Sequence, residues 1–463
     1  MEVIEKVFPN TTEITSSGRL EIGGCDVQDL AQKYGTPFYL FDSEHIENVC
    51  DTYNAEFTSR YQNTQVVYGS KAFANKSIFK IILDKGLGVD VVSGGELTLA
   101  VQCGIDPEKI YFHGNNKTET ELKLAQEAGL NKIVVDSFHE LDLLNSLSEN
   151  NDVIQDILIR LSPAIELDER THKYTTTGIL DSKFGFAIDN GDAEKAINLI
   201  EDMKNLNLIG IHFHLGSPLF STIPYVLGIK KVIEFLSHFK NLKLKEFSPG
   251  GGFAVSYTVK DKTPSVKEYA EAICDTLNES LDFYNIPKPK LIIEPGRAIT
   301  GPAGVAIYSV GAIKNIENVR KYISVDGGMG DNIRPALYGA KYEAVVINRL
   351  WDERPKEKVT IVGKYCESGD ILVKDILLPE IKSGDIIAIP VSGAYSTSMA
   401  SNYNMNPRPV IVSVKDGMDS IIRKRESLSD LFKMDVWFAI GQNKIIFKFQ
   451  WRISWKYFNK SFI

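Results

Sequence analysis

The chain has 463 residues, of which 43% are hydrophobic and 24% charged, and its formal net charge is −8. This length exceeds what one compact core usually organises, so two domains are expected, and the acidic balance argues against a protein that binds nucleic acid. No apolar run is long enough to span a membrane, and five scattered cysteines without a CxxC pair indicate reduced thiols in a cytoplasmic protein.

The first predicted segment covers residues 1–35. It begins MEVIEKVFPN, without the basic start and apolar run of a signal peptide. Strand-like pieces around VIEKVF and LEIGG predict that this segment packs with a β domain.

Residues 36–300 alternate short β-branched runs with longer helical patterns. The eight strand-like runs are QVVYG (65–69), GVDVV (88–92), KIYFH (109–113), KIVVD (132–136), DILIRL (156–161), LIGIHFH (208–214), LKEFSP (244–249) and KLIIEP (290–295). Helical stretches with apolar residues three and four apart lie between them, as in 119–129 and 192–205. This alternation predicts an α/β protein with a parallel sheet, and eight units favour a closed (β/α)8 TIM-type barrel over an open doubly wound sheet.

After residue 300 the pattern changes to strands separated by Gly, Asp and Pro turns. Pieces such as VAIYSVGAI, KVTIVGKY and RPVIVSVKDG predict a second, mainly antiparallel β domain over 301–435. The tail, 436–463, is basic and aromatic, and its residues 445–457 alternate apolar with polar, which is typical of an additional strand or of a divergent end. We assign this tail no function.

Chemically capable side chains follow several of the predicted barrel strands. Lys71 follows the first, where a partly desolvated amine among small residues could act as a nucleophile. His212 and His214 end the sixth, and an HxH pair can bind a metal ion. The sequence places no carboxylate or cysteine beside this pair, so we predict no metal site. A histidine ring stacked on a planar cofactor, with Ser217 near its phosphate, fits better.

The last two strands are followed by groups suited to an anion. The turn Gly250–Gly252 follows the seventh strand, and glycine loops at this place in a barrel commonly hold phosphate. Glu294 and Arg297 follow the eighth; alone they could form a salt bridge, but the arginine also suits a phosphate or carboxylate. An amine, a stacking ring, a phosphate loop and a carboxylate for a ring nitrogen together predict a site for pyridoxal 5'-phosphate.

The motifs YGSKAFAN, HFHLGS, SPGGGF, EPGRA, DGGMGDNIRPALYGA, GKYCESGD and SGAYS resemble those of the diaminopimelate decarboxylase family. The resemblance extends from about residue 20 to 435. It implies a fold type III pyridoxal-phosphate enzyme that converts meso-2,6-diaminopimelate to L-lysine and carbon dioxide, the last step of lysine biosynthesis. It also implies a homodimer whose active sites are shared across the interface.

The resemblance further implies the roles of individual residues. Lys71 is the Schiff-base lysine, and Cys366, contributed by the partner subunit, is the candidate proton donor to the α-carbon. The implied catalytic residues are Lys71, Cys366, Glu294 and His214. The implied cofactor contacts are Lys71, His214, Ser217, Gly251, Gly252, Glu294 and Tyr395. The implied substrate contacts are Arg297, Arg334, Tyr338, Glu367 and Tyr395.

Three alternatives remain open at this point. A related ornithine- or arginine-type decarboxylase typically has Asp where this chain has Glu367. A racemase of the same fold would lack the EPGR and CES motifs and would be expected to use a tyrosine as its second acid–base group. A catalytically dead regulatory homologue would have no chemical reason to keep Lys71, Glu294 and Cys366 together.

Overall fold

The computed structural model describes residues 2–165, 181–350 and 355–436. The predicted tail therefore lies, except for Val436, outside the described residues. Within the described ranges, each helix is too short or too polar to traverse a bilayer.

The N-terminal segment begins with a helix and not with the predicted strand. Helix α1 (Glu2–Val7) buries Ile4 and Val7, whose spacing of three places both on one helical face, so the strand prediction for VIEKVF was wrong. A small antiparallel sheet follows, made of β1 (Glu13–Ile14), β2 (Leu20–Ile22) and β3 (Cys25–Asp26). Helix α2 (Val27–Tyr34) then begins at Asp26, whose carboxylate caps it.

Strand β4 (Phe38–Asp42) belongs to the β domain. It falls within the 36–300 range predicted for the barrel, yet it pairs with strands near residues 304–307 and 410–414. All five of its residues are buried, because both faces of this strand are covered. The chain thus crosses the β domain once before it enters the barrel.

The predicted barrel is confirmed. Its strand region comprises β5 (Thr64–Gly69), β6 (Gly88–Val91), β7 (Ile110–Phe112), β8 (Ile133–Val135), β9 (Gln155–Ser162), β10 (Phe186–Ala187), β11 (Leu206–Phe213), β12 (Glu246–Ser248) and β13 (Lys290–Ile293). All of these except β10, which pairs beside β9, form a closed parallel ring, since β13 pairs with β5. All eight predicted runs are strands of this ring.

Helices surround the ring and turn the chain back to the next strand. They are α3 (Ser43–Thr58), α4 (Lys76–Asp84), α5 (Gly94–Gln102), α6 (Glu119–Glu127), α7 (Phe138–Asn150), α8 (Asp192–Asp202), α9 (Ile223–Leu236), α10 (Val266–Tyr284) and α11 (Arg297–Thr300). Several start at side-chain caps close to a strand end, such as the capping boxes of Thr118 and Ser265. Six buried side chains, from six different strands, fill the ring interior: Val67, Tyr111, Val134, Leu158, Ile209 and Ile292.

The second domain is a mainly antiparallel sheet, as predicted. Its remaining elements are β14 (Gly304–Ile316), β15 (Arg320–Val325), α12 (Arg334–Tyr338), β16 (Val345–Val346), β17 (Lys356–Val362), β18 (Ile371–Pro379), β19 (Ile386–Ile389), β20 (Val410–Lys415) and β21 (Met418–Arg423). The order is β18-β17-β15-β14-β4-β20-β21, with β19 on β14 and β16 on β19. Among the described strand pairs of this sheet, only β15–β17 and β4–β20 are parallel.

Candidate active site

A cavity of about 1300 Å³ opens at the carboxyl ends of the barrel strands. Lys71 lies in a single turn directly after β5, and its side chain is exposed to this cavity. The other predicted residues that line it are His214, Ser217, Gly251, Gly252, Glu294, Arg297, Arg334, Tyr338 and Tyr395. The fold therefore brings together groups that are up to 324 residues apart, the separation of Lys71 from Tyr395.

Glu294, directly after β13, is a buried carboxylate held by uncharged groups. Ser248 Oγ donates a hydrogen bond of 2.7 Å to Glu294 Oε1, and His212 Nε2 lies 3.1 Å from Oε2. His113 Nε2 lies 3.6 Å from Oε1. Among the described residues, no lysine or arginine nitrogen is within ion-pairing distance of this carboxylate. A cationic N–H donor in the cavity would therefore be stabilised by it.

The histidines around Glu294 are neutral near pH 7. Burial lowers the pKa of His212 and of His113 well below the ordinary value. His214 is half-buried, and its desolvation, with the charge of Arg160, lowers its pKa to about 3. The Gly251 N–H donates to His214 Nδ1 at 3.2 Å, which fixes the ring at the cavity wall.

The structure changes one premise of the metal prediction. The sequence shows no carboxylate near the HxH pair, but the barrel brings Glu294 and His113 to His212, and their potential ligand atoms lie within 4.8 Å of one another. This is the one such group among the residues that the structure describes. Ser248 and His212 already engage both oxygens of Glu294. The absence of a metal site stays a prediction.

In the glycine turn after β12 the backbone packs too closely against its neighbours to accommodate a side chain. A Cβ on Gly251 would lie 2.1 Å from the carbonyl oxygen of Glu294, and one on Gly252 would lie 2.2 Å from that of Gly216. Gly250 and Gly252 also have positive φ angles, +76° and +105°. The loop is thus compact backbone beside the cavity, as a phosphate site requires.

Two arginines at the same cavity have no anionic partner among the described residues. Arg297 donates to Ser217 Oγ at 3.1 Å and to Tyr257 Oη at 2.6 Å. Arg334 donates to the hydroxyl of Tyr342. Both guanidinium groups are buried, with 6% and 5% of each residue exposed. Buried cations without a counterion favour the binding of an anion.

Cys366 and Glu367 are not part of this cavity. Both lie in an exposed loop between β17 and β18, and the Cys366 N–H donates to Asn404 Oδ1 at 2.9 Å. Neither lines the cavity of its own chain. Any contribution to a site by this loop would have to be made to another copy.

The sequence interpretation missed several cavity residues, among them Asp90, His113, Arg160 and Tyr257. The first three lie in or directly after the predicted strands GVDVV, KIYFH and DILIRL, so inspecting the end of every strand would have found them. Burial and the nearby Glu294 raise the pKa of Asp90 well above its ordinary value. Tyr257 follows the glycine turn, and no local signal marks it.

The residues present fit pyridoxal phosphate. The fit rests on the accessible Lys71 amine, on the Glu294 carboxylate, which forms no ion pair with a described lysine or arginine, and on the glycine turn that a Cβ would obstruct. These groups match the amine, ring-nitrogen partner and phosphate loop that this cofactor needs.

Comparisons with known proteins agree with this chemistry. Residues 43–301 match the family described as pyridoxal-dependent decarboxylase, pyridoxal binding domain. A diaminopimelate decarboxylase of Bacillus subtilis (strain 168) is 43% identical over 434 residues, which are 93% of this chain and 98% of that protein. The structure of diaminopimelate decarboxylase from M. jannaschii with L-lysine superposes with a TM-score of 0.86 at 34% identity, covering 93% of this chain and 98% of the other. The Helicobacter pylori enzyme with L-lysine gives 0.81 at 33% identity, covering 88% and 98%.

Proposed function

This chain belongs to the diaminopimelate decarboxylase family of pyridoxal-dependent decarboxylases, and we propose that it converts meso-2,6-diaminopimelate to L-lysine and carbon dioxide, the last step of lysine biosynthesis. The observation that carries the proposal is one cavity in which Lys71 and Glu294 lie together with the buried guanidinium groups of Arg297 and Arg334, which no described carboxylate neutralises. An amine-reactive cofactor and a substrate with a second carboxylate both suit these groups.

Pyridoxal phosphate, when bound, accepts the electron pair that the departing carboxylate leaves behind. In this proposal Lys71 would be its point of covalent attachment, and Glu294 would accept a hydrogen bond from its protonated ring nitrogen. His214, oriented by the Gly251 N–H, would be the residue that holds the ring at the cavity wall. The residues proposed to hold its phosphate are Ser217, Gly251, Gly252 and Tyr395.

The far end of the substrate meets the two arginines. Diaminopimelate has a second amino-acid centre, whose carboxylate can receive charge-assisted hydrogen bonds from Arg297 and Arg334. Tyr338 lies at the same cavity. Ornithine has no carboxylate at that end and would leave both guanidinium groups buried without an anion, at a cost of about 1–3 kcal/mol or more for each.

The site is completed by a second copy of the chain. The exposed position of Cys366 and Glu367, outside the cavity of their own chain, supports a homodimer in which each subunit contributes this loop to the other. Glu367 would then accept the distal ammonium, and the Cys366 thiol would hold the proton that returns to the α-carbon. The scattered cysteines support a cytoplasmic location for this dimer.

The experiment compares carbon dioxide release from diaminopimelate, L-ornithine, L-arginine and L-lysine at equal concentration, with the product identified by chromatography. Two arginines acting on one carboxylate should give a preference for diaminopimelate on the order of 10² or more. Arg334→Ala should lose this activity and keep the visible absorption of the cofactor. Arg320→Ala, at a partly exposed ion pair with Asp375, is the control and should keep both. Comparable turnover of ornithine would contradict the assignment.

A further inference from the structure

Tyr257 lies between the two arginines and contacts both. It is on the loop that follows the glycine turn, and 7% of it is exposed. Its hydroxyl accepts the 2.6 Å hydrogen bond from Arg297, and the guanidinium carbon of Arg334 lies 4.5 Å from its ring centroid. One side chain thus holds one cation by its hydroxyl group and the other by its ring face.

The surroundings of Tyr257 fix it in this place. Its ring packs edge-on against Tyr342 at 5.4 Å, and Tyr342 in turn accepts the hydrogen bond of Arg334. The N–H groups of Tyr257 and Thr258 both donate to Asp261 Oδ2, at 2.9 and 2.8 Å, which holds the loop. The hydrogen bonds of its loop and the packing of its ring therefore hold Tyr257 against the two arginines.

The electrostatics around Tyr257 show how strongly positive this end of the cavity is. Burial raises the pKa of its hydroxyl, yet the nearby charges of Arg297 and Arg334 outweigh burial and leave the pKa below the ordinary value. Within the described ranges, the guanidinium hydrogen bonds of both arginines go to the hydroxyl groups of Ser217, Tyr257 and Tyr342, and none goes to a carboxylate. The two positive charges repel each other, so a group that interacts favourably with both is needed to keep them together.

We infer that Tyr257 is a positioning residue that holds Arg297 and Arg334 together as one receptor for the distal carboxylate of the substrate, and that it thereby sets the specificity for dicarboxylic amino acids. This inference rests on the proposed function for its substrate. Tyr257 acts through the arginines, so its loss should weaken carboxylate binding and leave cofactor binding unchanged.

The first test is Tyr257→Phe in the holoenzyme, because this change keeps the ring and removes the hydroxyl. KM for diaminopimelate should rise about tenfold or more, as expected for one hydrogen bond to a charged group, while kcat changes less than about threefold. The matched control is Tyr61→Phe, which removes the buried hydroxyl that donates to the Pro289 carbonyl at 2.6 Å, at the amino end of the barrel. The control should leave KM unchanged.

A binding measurement separates the carboxylate receptor from the rest of the site. L-Lysine, as the product, retains the distal carboxylate of diaminopimelate, and cadaverine lacks it. The change of cofactor absorbance reports the binding of either amine. Tyr257→Phe should weaken L-lysine binding about tenfold and leave cadaverine binding unchanged. Tyr257→Leu, which also removes the ring face from Arg334, should weaken L-lysine binding further.

The outcomes distinguish the two proposals. Absence of diaminopimelate decarboxylation by the wild-type protein would contradict the proposed function. An active wild type whose Tyr257→Phe variant binds L-lysine normally, or loses L-lysine and cadaverine equally, overturns the inference alone. Failure of both variants to fold would assign Tyr257 to the core and overturn it as well.

Discussion

His212 Nε2 lies 3.1 Å from Glu294 Oε2, although the two residues are 82 positions apart in the chain. Burial lowers the pKa of His212 well below its ordinary value, and the Nε2–H tautomer of the neutral ring donates to this carboxylate, while Nδ1 has no hydrogen-bond partner among the described residues. The hydrogen bond orients Glu294, and the neutral ring adds no charge beside the carboxylate. Such a carboxylate can sustain a proton on the nitrogen of a bound heteroaromatic ring.

Removing the His212 donor should weaken the orientation of Glu294 while the carboxylate itself stays in place. We expect His212→Phe to lower kcat about tenfold and to change the pH dependence of the cofactor absorbance, since the carboxylate loses one of its two close hydrogen bonds. His212→Gln can replace the donor and should recover most of kcat. His238→Phe, at an exposed histidine, is the control. Unchanged kcat and absorbance in His212→Phe would exclude a role for this pair.

Lys71 should be the covalent attachment point of the cofactor. The purified holoprotein is expected to be yellow, and Lys71→Ala should lose the visible band on dialysis while its melting temperature stays close to that of the apoprotein, because the side chain is exposed to the cavity. Lys80→Ala removes an exposed lysine that pairs with Asp84 and should keep the band. A colourless wild-type enzyme with full activity would refute the cofactor assignment.

If each active site is shared across a dimer, two inactive variants with changes on opposite sides of the site should complement each other. Lys71→Ala and Cys366→Ala are each expected to be nearly inactive, but mixing them under conditions of subunit exchange should restore up to about a quarter of wild-type activity, because half of the dimers are mixed and each mixed dimer has one intact site. Mass spectrometry of the mixture verifies exchange. If exchange occurs and activity does not return, Cys366 acts within its own chain or not at all.

The glycine turn should not tolerate even one methyl group at Gly251. Its Cβ would lie 2.1 Å from the carbonyl oxygen of Glu294, so backbone must move, and we expect Gly251→Ala to lose about 1–3 kcal/mol of stability and much of its cofactor affinity. Gly95→Ala, whose Cβ meets nothing closer than 3.8 Å on helix α5, should be neutral or slightly stabilising. Denaturant unfolding and cofactor titration measure both effects. Normal cofactor affinity in Gly251→Ala would contradict the close approach seen here.

Stability should fall at mildly acidic pH partly through His45. Burial lowers the pKa of His45 from 6.5 to about 4. Between these values the unfolded chain binds the proton more readily, so the stabilisation is complete above about pH 6.5 and is lost as the pH falls toward 4, by up to about 3 kcal/mol. His45→Gln should flatten the curve of unfolding free energy against pH over this range. The difference between the two curves cancels the contributions of other titrating groups such as Asp42, whose pKa is raised by burial. Equal slopes in the two proteins would disprove this contribution.

The sequence by itself determined the barrel strands and the place of the site. The apolar runs from β5 to β13 are local patterns of strand length, and parallel strands necessarily bring their carboxyl ends to one edge. Lys71 and Glu294 could therefore be assigned to one cavity from their positions after two strands. The N-terminal helix was mistaken for a strand because six residues are too few for period two and period three to four to be told apart.

The tertiary structure alone decided which partners these elements and side chains meet. The four apolar residues of β4 suit any buried strand, and only pairing with β14 and β20 places them in the β domain. His113 ends a predicted strand and Tyr257 has no local signal, but for both only closure of the barrel sets their distances to Glu294 and to Arg297. The reason is physical: periodicity records which face of an element is buried, whereas hydrogen bonds between distant residues depend on how the whole ring closes.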